Sequence, residues 1–280
     1  MIERGRKKAN WPFAQASEQL RAGPHHWHIQ RLGAKGPKVL FLHGTGASTH
    51  SWAPLMPLLQ HDIAATLVDL PGHGKSAGKS KSSIDEYSSD IIDFLDAMDL
   101  ENVCLIGHSM GAAIALNASL SHHWRICSIV AIGGASKMIV NDAILDGLQN
   151  TFEATVDSIV RYSWHKKTGA VAGSQQMAAF FREKAKQRML DSGSKTVHGD
   201  FLACSKFDVT QRVGEIAVPV LVIASDCDRM VPLNVSWDMA ELLGDSYFVC
   251  LENCGHFQHI EQTGKVAAEV VNFLSKIRRA

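Results

Sequence analysis

Gly107-His108-Ser109-Met110-Gly111 follows the apolar run Asn102-Val103-Cys104-Leu105-Ile106 and leads into the helix-forming Ala112-Ala113-Ile114-Ala115-Leu116. A G-x-S-x-G set between a strand and a helix reads as a nucleophile elbow, and the chemistry explains the spacing. A serine forced onto a sharp turn projects its hydroxyl above the edge of a sheet. The turn is so tight that side chains two residues away on either side would clash, and glycine at 107 and 111 removes them. The following helix begins here, so its unpaired N–H groups point where negative charge would develop. A chance glycine-rich turn would need none of the features that follow.

Val39-Leu40-Phe41-Leu42 is a second buried-strand run, and it ends in His43-Gly44-Thr45-Gly46. Val220-Leu221-Val222-Ile223-Ala224 runs into Ser225-Asp226-Cys227-Asp228-Arg229-Met230-Val231-Pro232. Further on, Asn253-Cys254-Gly255-His256 follows the apolar run from Tyr247 to Leu251. Ser109, an Asp near 228 and His256 stand in the chain order of one of the known Ser-Asp-His triads. With these four motifs the chain resembles the α/β-hydrolase fold superfamily over nearly its whole length. The resemblance implies an α/β fold with a mostly parallel sheet and helices on both faces.

Composition sets the outer bounds. Of 280 residues 46% are hydrophobic, enough for one core with an inserted subdomain and short for two independent domains. Lys+Arg and Asp+Glu balance at 28 each, so no global field favours nucleic acid or an anionic membrane. The basic run Arg4-Gly5-Arg6-Lys7-Lys8 reads as a solvated terminus, because no apolar segment of a leader peptide follows it. No apolar stretch approaches the ~18 residues that a membrane span requires. Cys104, Cys127 and Cys250 read as small core hydrophobes within strand runs, and a reduced, cytoplasmic protein is expected. Fourteen histidines invite a metal hypothesis. Yet His25-His26-His28 and His122-His123 look like turn and helix-end residues without HExxH or carboxylate partners. No metal and no cofactor are expected.

Along the chain, Ser17 to Gly33 predicts a β-hairpin turning at Gly23-Pro24, with residues 26–30 alternating as a half-exposed strand. Strands follow at 39–42 and 63–68, then a helix over 85–98, a strand at 102–106, a helix at 110–120 and a strand at 126–132. Strands that alternate with helices and are apolar throughout argue a parallel sheet covered on both faces. From Ser136 to Gly214 helical periodicity takes over: Ile144, Leu145, Leu148, Phe152, Val156, Ile159, Val160, then Met177 to Leu190. His165-Lys166-Lys167-Thr168-Gly169 separates the two stretches. Residues 1–135 and 215–280 therefore read as the core, with 136–214 a helical insertion after the sixth main strand. Family resemblance makes that insertion a cap over the active site; a buried helical layer is the alternative.

Ser109 is the expected nucleophile, with His256 removing its proton. Asp226 and Asp228 compete to orient His256; Asp228 is favoured by the family's D-x-x-V-P arrangement, which Asp228 to Pro232 matches. The oxyanion donors are expected from the Met110 and Thr45 amides, with Gly44 and Gly46 letting backbone approach the substrate. His43 and His108 read as structural hydrogen-bonders. Two nucleotide-binding look-alikes fail: Gly44-Thr45-Gly46 meets Thr49 where G-x-G-x-x-G needs glycine, and Gly74-Lys75-Ser76 lacks the first P-loop glycine because Asp69 stands there. Asp69-Leu70-Pro71-Gly72-His73-Gly74 reads instead as a structural turn after a strand.

Trp11-Pro12, Trp27-His28-Ile29-Gln30 and His43 to Trp52 are similar to the magnesium-chelatase accessory proteins of bacteriochlorophyll synthesis. His198 to Cys204, with Phe207-Asp208-Val209, resembles a broader group of bacterial esterase-like hydrolases. The main expectation is hydrolysis of a carboxylic ester or related acyl substrate through an acyl-enzyme. The substrate is expected to be a small, hydrophobic molecule in a pocket that Phe152 and Trp164 help to line. An accessory binding protein on a hydrolase scaffold is the second class, and a C–C hydrolase or haloperoxidase using the same triad is a third. Asp in place of Ser109 would have marked a dehalogenase.

Overall fold

The computed structural model describes residues 17–122, 124–165 and 175–277. The basic run at 4–8, Trp11-Pro12, His123 and the segment 166–169 lie outside them. The chain opens with an antiparallel hairpin, β1 (Ser17–Ala22) and β2 (His25–Leu32), with Ala22 paired to His25 across the turn. There follow β3 (Lys38–Leu42), α1 (Met56–Leu59), β4 (Ala64–Val68), α2 (Ile84–Ala97), β5 (Val103–His108), α3 (Met110–His122) and β6 (Ile126–Ile132). Among the described residues the next helices are α4 (Asp142–Asn150), α5 (Phe152–Ser163), α6 (Gln175–Ser192) and α7 (Ser194–Lys206). The chain returns to the sheet with β7 (Val220–Ser225), α8 (Leu233–Leu242), β8 (Ser246–Leu251), α9 (Gln258–Glu261) and α10 (Thr263–Ile277).

One eight-stranded sheet has the order β1-β2-β4-β3-β5-β6-β7-β8. β3 through β8 pair in parallel, and β2 joins β4 antiparallel. Period-two alternation divides the strand side chains between two cores. Leu40, Leu42, Val103 and Leu105 meet α2, α3 and α8, while Val39, Phe41, Cys104 and Ile106 meet α1 and α10. Each such Leu or Ile, fully buried, stabilises the fold by about 1.5–3 kcal/mol. Helices on both faces bury the central strands completely, which is why their sequences are apolar without a break.

Several local expectations are corrected. Trp27, His28 and Ile29 are all buried, so β2 does not alternate as a half-exposed strand. It is an inner strand, flanked by β1 and β4, and His28 Nδ1–H donates to Asp69 (2.9 Å). His25, His26 and His28 lie in that strand and not in a turn. Cys250 is exposed, because β8 is the edge strand and is only partly covered, and Cys127 is half-buried. The described residues of the inserted block form four helices where periodicity suggested two stretches. Thr151, with non-helical backbone, alone separates α4 from α5, and Gly193 (φ +79°) separates α6 from α7. Leu148, Val156, Val160, Met189 and Val197 of these helices form a third apolar cluster.

Candidate active site

Ser109 sits between β5 and α3 with φ +53°, in the left-handed region that costs a non-glycine residue energy. Its N–H donates to Ile132 O (2.9 Å), and its carbonyl accepts from Ala112 and Ala113, so the turn is held from both sides. The flanking glycines are required by close approach. A Cβ at Gly107 would lie 2.2 Å from Gly111 O, and one at Gly111 would lie 2.1 Å from Leu42 O. Both obstacles are backbone. The elbow therefore has the conformation and the crowding that its sequence implied.

His256 follows β8 and is nearly buried. Its Nδ1–H donates to Asp228 Oδ2 (2.8 Å), which leaves Nε2 as its other nitrogen. Asp228 Oδ1 accepts from the Met230 and Val231 amides (2.8 and 2.9 Å), and Oδ2 also accepts from Gln258 Nε2 (3.1 Å). These donors satisfy the carboxylate and fix its direction. Asp226, the other contender, is exposed and receives the Cys254 amide (3.4 Å); His256 is not among its partners. The histidine loop is further braced by His256 N–H to Ser163 O (2.7 Å), at the end of α5. Glu261 accepts from the Gly255 and Phe257 amides (both 3.1 Å).

Ser109, His256, Thr45 and Gly44 all line one cavity of about 60 Å³. Thr45 is half-buried in the loop after β3, and Met110 is the first residue of α3, whose amide has no intrahelical acceptor. Gly44 abuts the elbow: a Cβ there would stand 3.3 Å from Ser109 Cβ. Gly46 is different. Its N–H donates to Asp200 Oδ2 (2.8 Å) of α7, and its Cα faces Met189 of α6, so it faces the inserted helices and not a substrate.

The other lining comes from the inserted block and the loops beside it: Met138, Ile159, Met189, Phe201, Met230 and Phe257. Phe152 and Trp164 are not among the lining residues. Phe152 packs on the third apolar cluster, and Trp164 stacks on Phe257 (ring centroids 5.1 Å apart), one layer behind the cavity wall. A helical face buried in its own block and one turned to the cavity carry the same periodicity, so the sequence alone does not separate them.

The surrounding histidines are structural. His43 Nε2 accepts from Leu70 N–H (3.0 Å) and Nδ1–H donates to Gly44 O (2.9 Å), the pattern of a neutral ring. Burial, with the neighbouring His73 charge, pulls its pKa down to about 4. His108 Nε2–H donates to His256 O (2.8 Å); burial, then His259 and His256, hold it well below the ordinary value. His259 is wedged between Trp52 and His108, with centroids 4.7 and 4.4 Å away, and burial lowers it to about 3.

A second buried cluster escaped sequence reasoning. Asp200 accepts from Gly46 N–H, from His73 Nε2–H (2.7 Å) and from Tyr87 O–H (2.6 Å), all in the interior. His73 Nδ1 also faces an acceptor, Pro71 O (3.1 Å), so both ring nitrogens point at acceptor oxygens, an arrangement that favours the imidazolium. Although burial opposes the charge, Asp200 raises the His73 pKa. Its elements are 127 residues apart, and no local pattern announces the pairing. Among the described residues no group of three or more His, Cys, Asp or Glu is arranged to hold a metal. No helix among them is long and apolar enough to cross a membrane.

A parallel sheet bearing a serine elbow, with a histidine–carboxylate pair facing it from the strand ends, defines a hydrolase scaffold. Residues 37–263 match the alpha/beta hydrolase fold family, and the chain belongs to it. It is 29% identical over 248 residues to the magnesium-chelatase 30 kDa subunit of Rhodobacter capsulatus, covering 84% of this chain and 86% of that one. It is 26% identical over 257 residues to the 2-hydroxy-6-oxo-6-(2'-aminophenyl)hexa-2,4-dienoic acid hydrolase of Metapseudomonas resinovorans, covering 86% and 85%. Among solved structures, the enol-lactonase of Burkholderia xenovorans LB400 superposes with a TM-score of 0.84 at 17% identity, over 92% of this chain and 100% of that one; this is a likeness of fold.

Proposed function

We propose that the protein is a serine hydrolase of carboxylic esters or related acyl compounds, working through an acyl-enzyme on Ser109. The observation that carries this reading is the hydrogen bond from His256 Nδ1–H to the buried Asp228, on a ring that lines the same cavity as Ser109. His256 Nε2 takes the Ser109 proton as Oγ attacks the carbonyl carbon. The Thr45 and Met110 amides receive the oxyanion, and Gly44 leaves room for it. Collapse returns the proton from His256 to the departing alcohol. Water, deprotonated by the same ring, then attacks the acyl carbon and releases the acid and free Ser109. Asp228 holds the ring in the correct tautomer and stabilises the imidazolium.

Residues 136–214 act in this reading as the cap that shapes the site over the core of 1–135 and 215–280. No cofactor or metal takes part, and the substrate is a small apolar molecule. Balanced charge offers nothing to nucleic acid, and six free cysteines suit a reducing compartment such as the cytoplasm. The identity with a chelatase subunit favours one second reading, an accessory protein that keeps the scaffold without turnover. A fluorophosphonate probe separates the two. Labelling of wild type and none of Ser109→Ala is expected; a folded wild type that resists the probe would sink the catalytic reading.

A further inference from the structure

The space around Ser109 is lopsided. The cavity over the elbow holds about 60 Å³, and since one water needs about 10–15 Å³ of such volume it takes a short group of roughly four to six non-hydrogen atoms. Beside it lies a groove of about 610 Å³ between α4, α5 and the loop after β7, in the range of small-molecule sites. Ile139, Ile159 and Met230 line both spaces, so the groove adjoins the catalytic cavity across these three side chains. Ile144 and Ala154 extend its apolar wall.

Among the described residues one charged side chain, Arg229, lines this groove, and no carboxylate does. The guanidinium lies 4.3 Å from the centre of the Tyr162 ring and donates one bond, to Trp164 O (3.4 Å). The face of the ring and the carbonyl hold the guanidinium in position. Five N–H donors stand on that plane, so most are left for a ligand, and their fork matches a carboxylate.

We propose that the substrate is an asymmetric ester, small on one side of the scissile bond and bearing on the other an apolar chain that ends in an acid. The chain lies in the groove and its acid pairs with Arg229. This rests on Ser109 being the nucleophile, and the groove can be tested apart from it.

Calorimetric titration of the intact protein with octanoate and octanamide reads the groove without turnover. Octanoate binds about tenfold tighter at moderate salt, as a charge-assisted bond at a partly exposed site should. Arg229→Gln abolishes that ratio. Ala154→Trp or Ser158→Trp, both at exposed positions of α5, blocks both ligands. Equal affinities in wild type, or a ratio that survives Arg229→Gln, would overturn the proposal. Turnover then tests the asymmetry. Monomethyl octanedioate and 8-acetoxyoctanoate place the small group on the alcohol or the acyl side, and at least one is hydrolysed in preference to octyl octanoate. Preference for octyl octanoate would also overturn it. Octanoate selectivity without any Ser109-dependent hydrolysis would leave the groove standing and remove the triad reading alone.

Discussion

The Asp200 carboxylate accepts the Gly46 N–H at 2.8 Å across 154 residues of sequence, tying an inserted helix to the loop that carries Thr45. The same carboxylate faces His73, and both side chains are fully excluded from solvent. A buried pair of this kind is costly to break from one side, because the remaining charge has nowhere to go.

Asp200→Asn is therefore expected to destabilise the protein by about 3–5 kcal/mol, read from urea unfolding. The sign with pH follows from His73, whose folded pKa is raised above the unfolded value of 6.5. Its contribution is fully present below 6.5 and is lost as pH rises through the folded value. Wild type should show this alkaline loss, and Asp200→Asn should lack it. An identical alkaline slope in both would exclude the ion pair.

The acid limb has a different origin. His43, His108 and His259 are buried and neutral, the first and last lowered to about 4 and about 3. Above 6.5 they cost nothing. As pH falls below 6.5 the unfolded chain gains protons that the folded chain refuses, and each histidine removes up to about 1.4 kcal/mol per pH unit. His259→Phe, which keeps the ring between Trp52 and His108, should flatten the stability curve between pH 6 and 4. An unchanged slope would place the acid sensitivity elsewhere.

Asp228→Asn should leave the fold intact and lower ester turnover by about 10⁴, through the wrong histidine tautomer. Asp226→Asn, at the exposed neighbour, should cost less than tenfold. Steady-state rates of the two on one ester decide between them, and a larger loss at Asp226 would reverse the assignment.

Gly111→Ala tests the elbow itself. The added methyl would meet Leu42 O at 2.1 Å, and a backbone atom inside a sheet cannot swing away. Overpacking of this kind costs about 1–3 kcal/mol or more. A fall in the unfolding midpoint is expected together with loss of probe labelling; wild-type stability would show that the turn has slack.

The elbow, the hairpin at Gly23-Pro24 and the central strands were legible because local rules govern them: glycine spacing, turn residues, and burial on both faces. His256 and Asp228 were legible as motifs after strands, and the choice between Asp226 and Asp228 needed the geometry. Phe152 and Trp164 illustrate the limit. Periodicity shows that a helix has an apolar face and not which neighbour that face meets. Cys250 was misread because an edge strand and a central strand share the same apolar residues, and only pairing distinguishes them. The pairing of Asp200 left no trace in the sequence, since its partners lie in three distant elements.

Both loops that serve the candidate centre are anchored to the inserted helices, one through Gly46 and Asp200 and the other through His256 N–H and Ser163 O. A hinge-like swing of the whole block would thus unseat the histidine it uncovers. The cavity wall between these loops includes Met138, Met189 and Met230, unbranched side chains that adapt to a neighbour's shape by changing rotamer while the backbone stays in place. The wall of the cavity can then yield while its frame stays fixed.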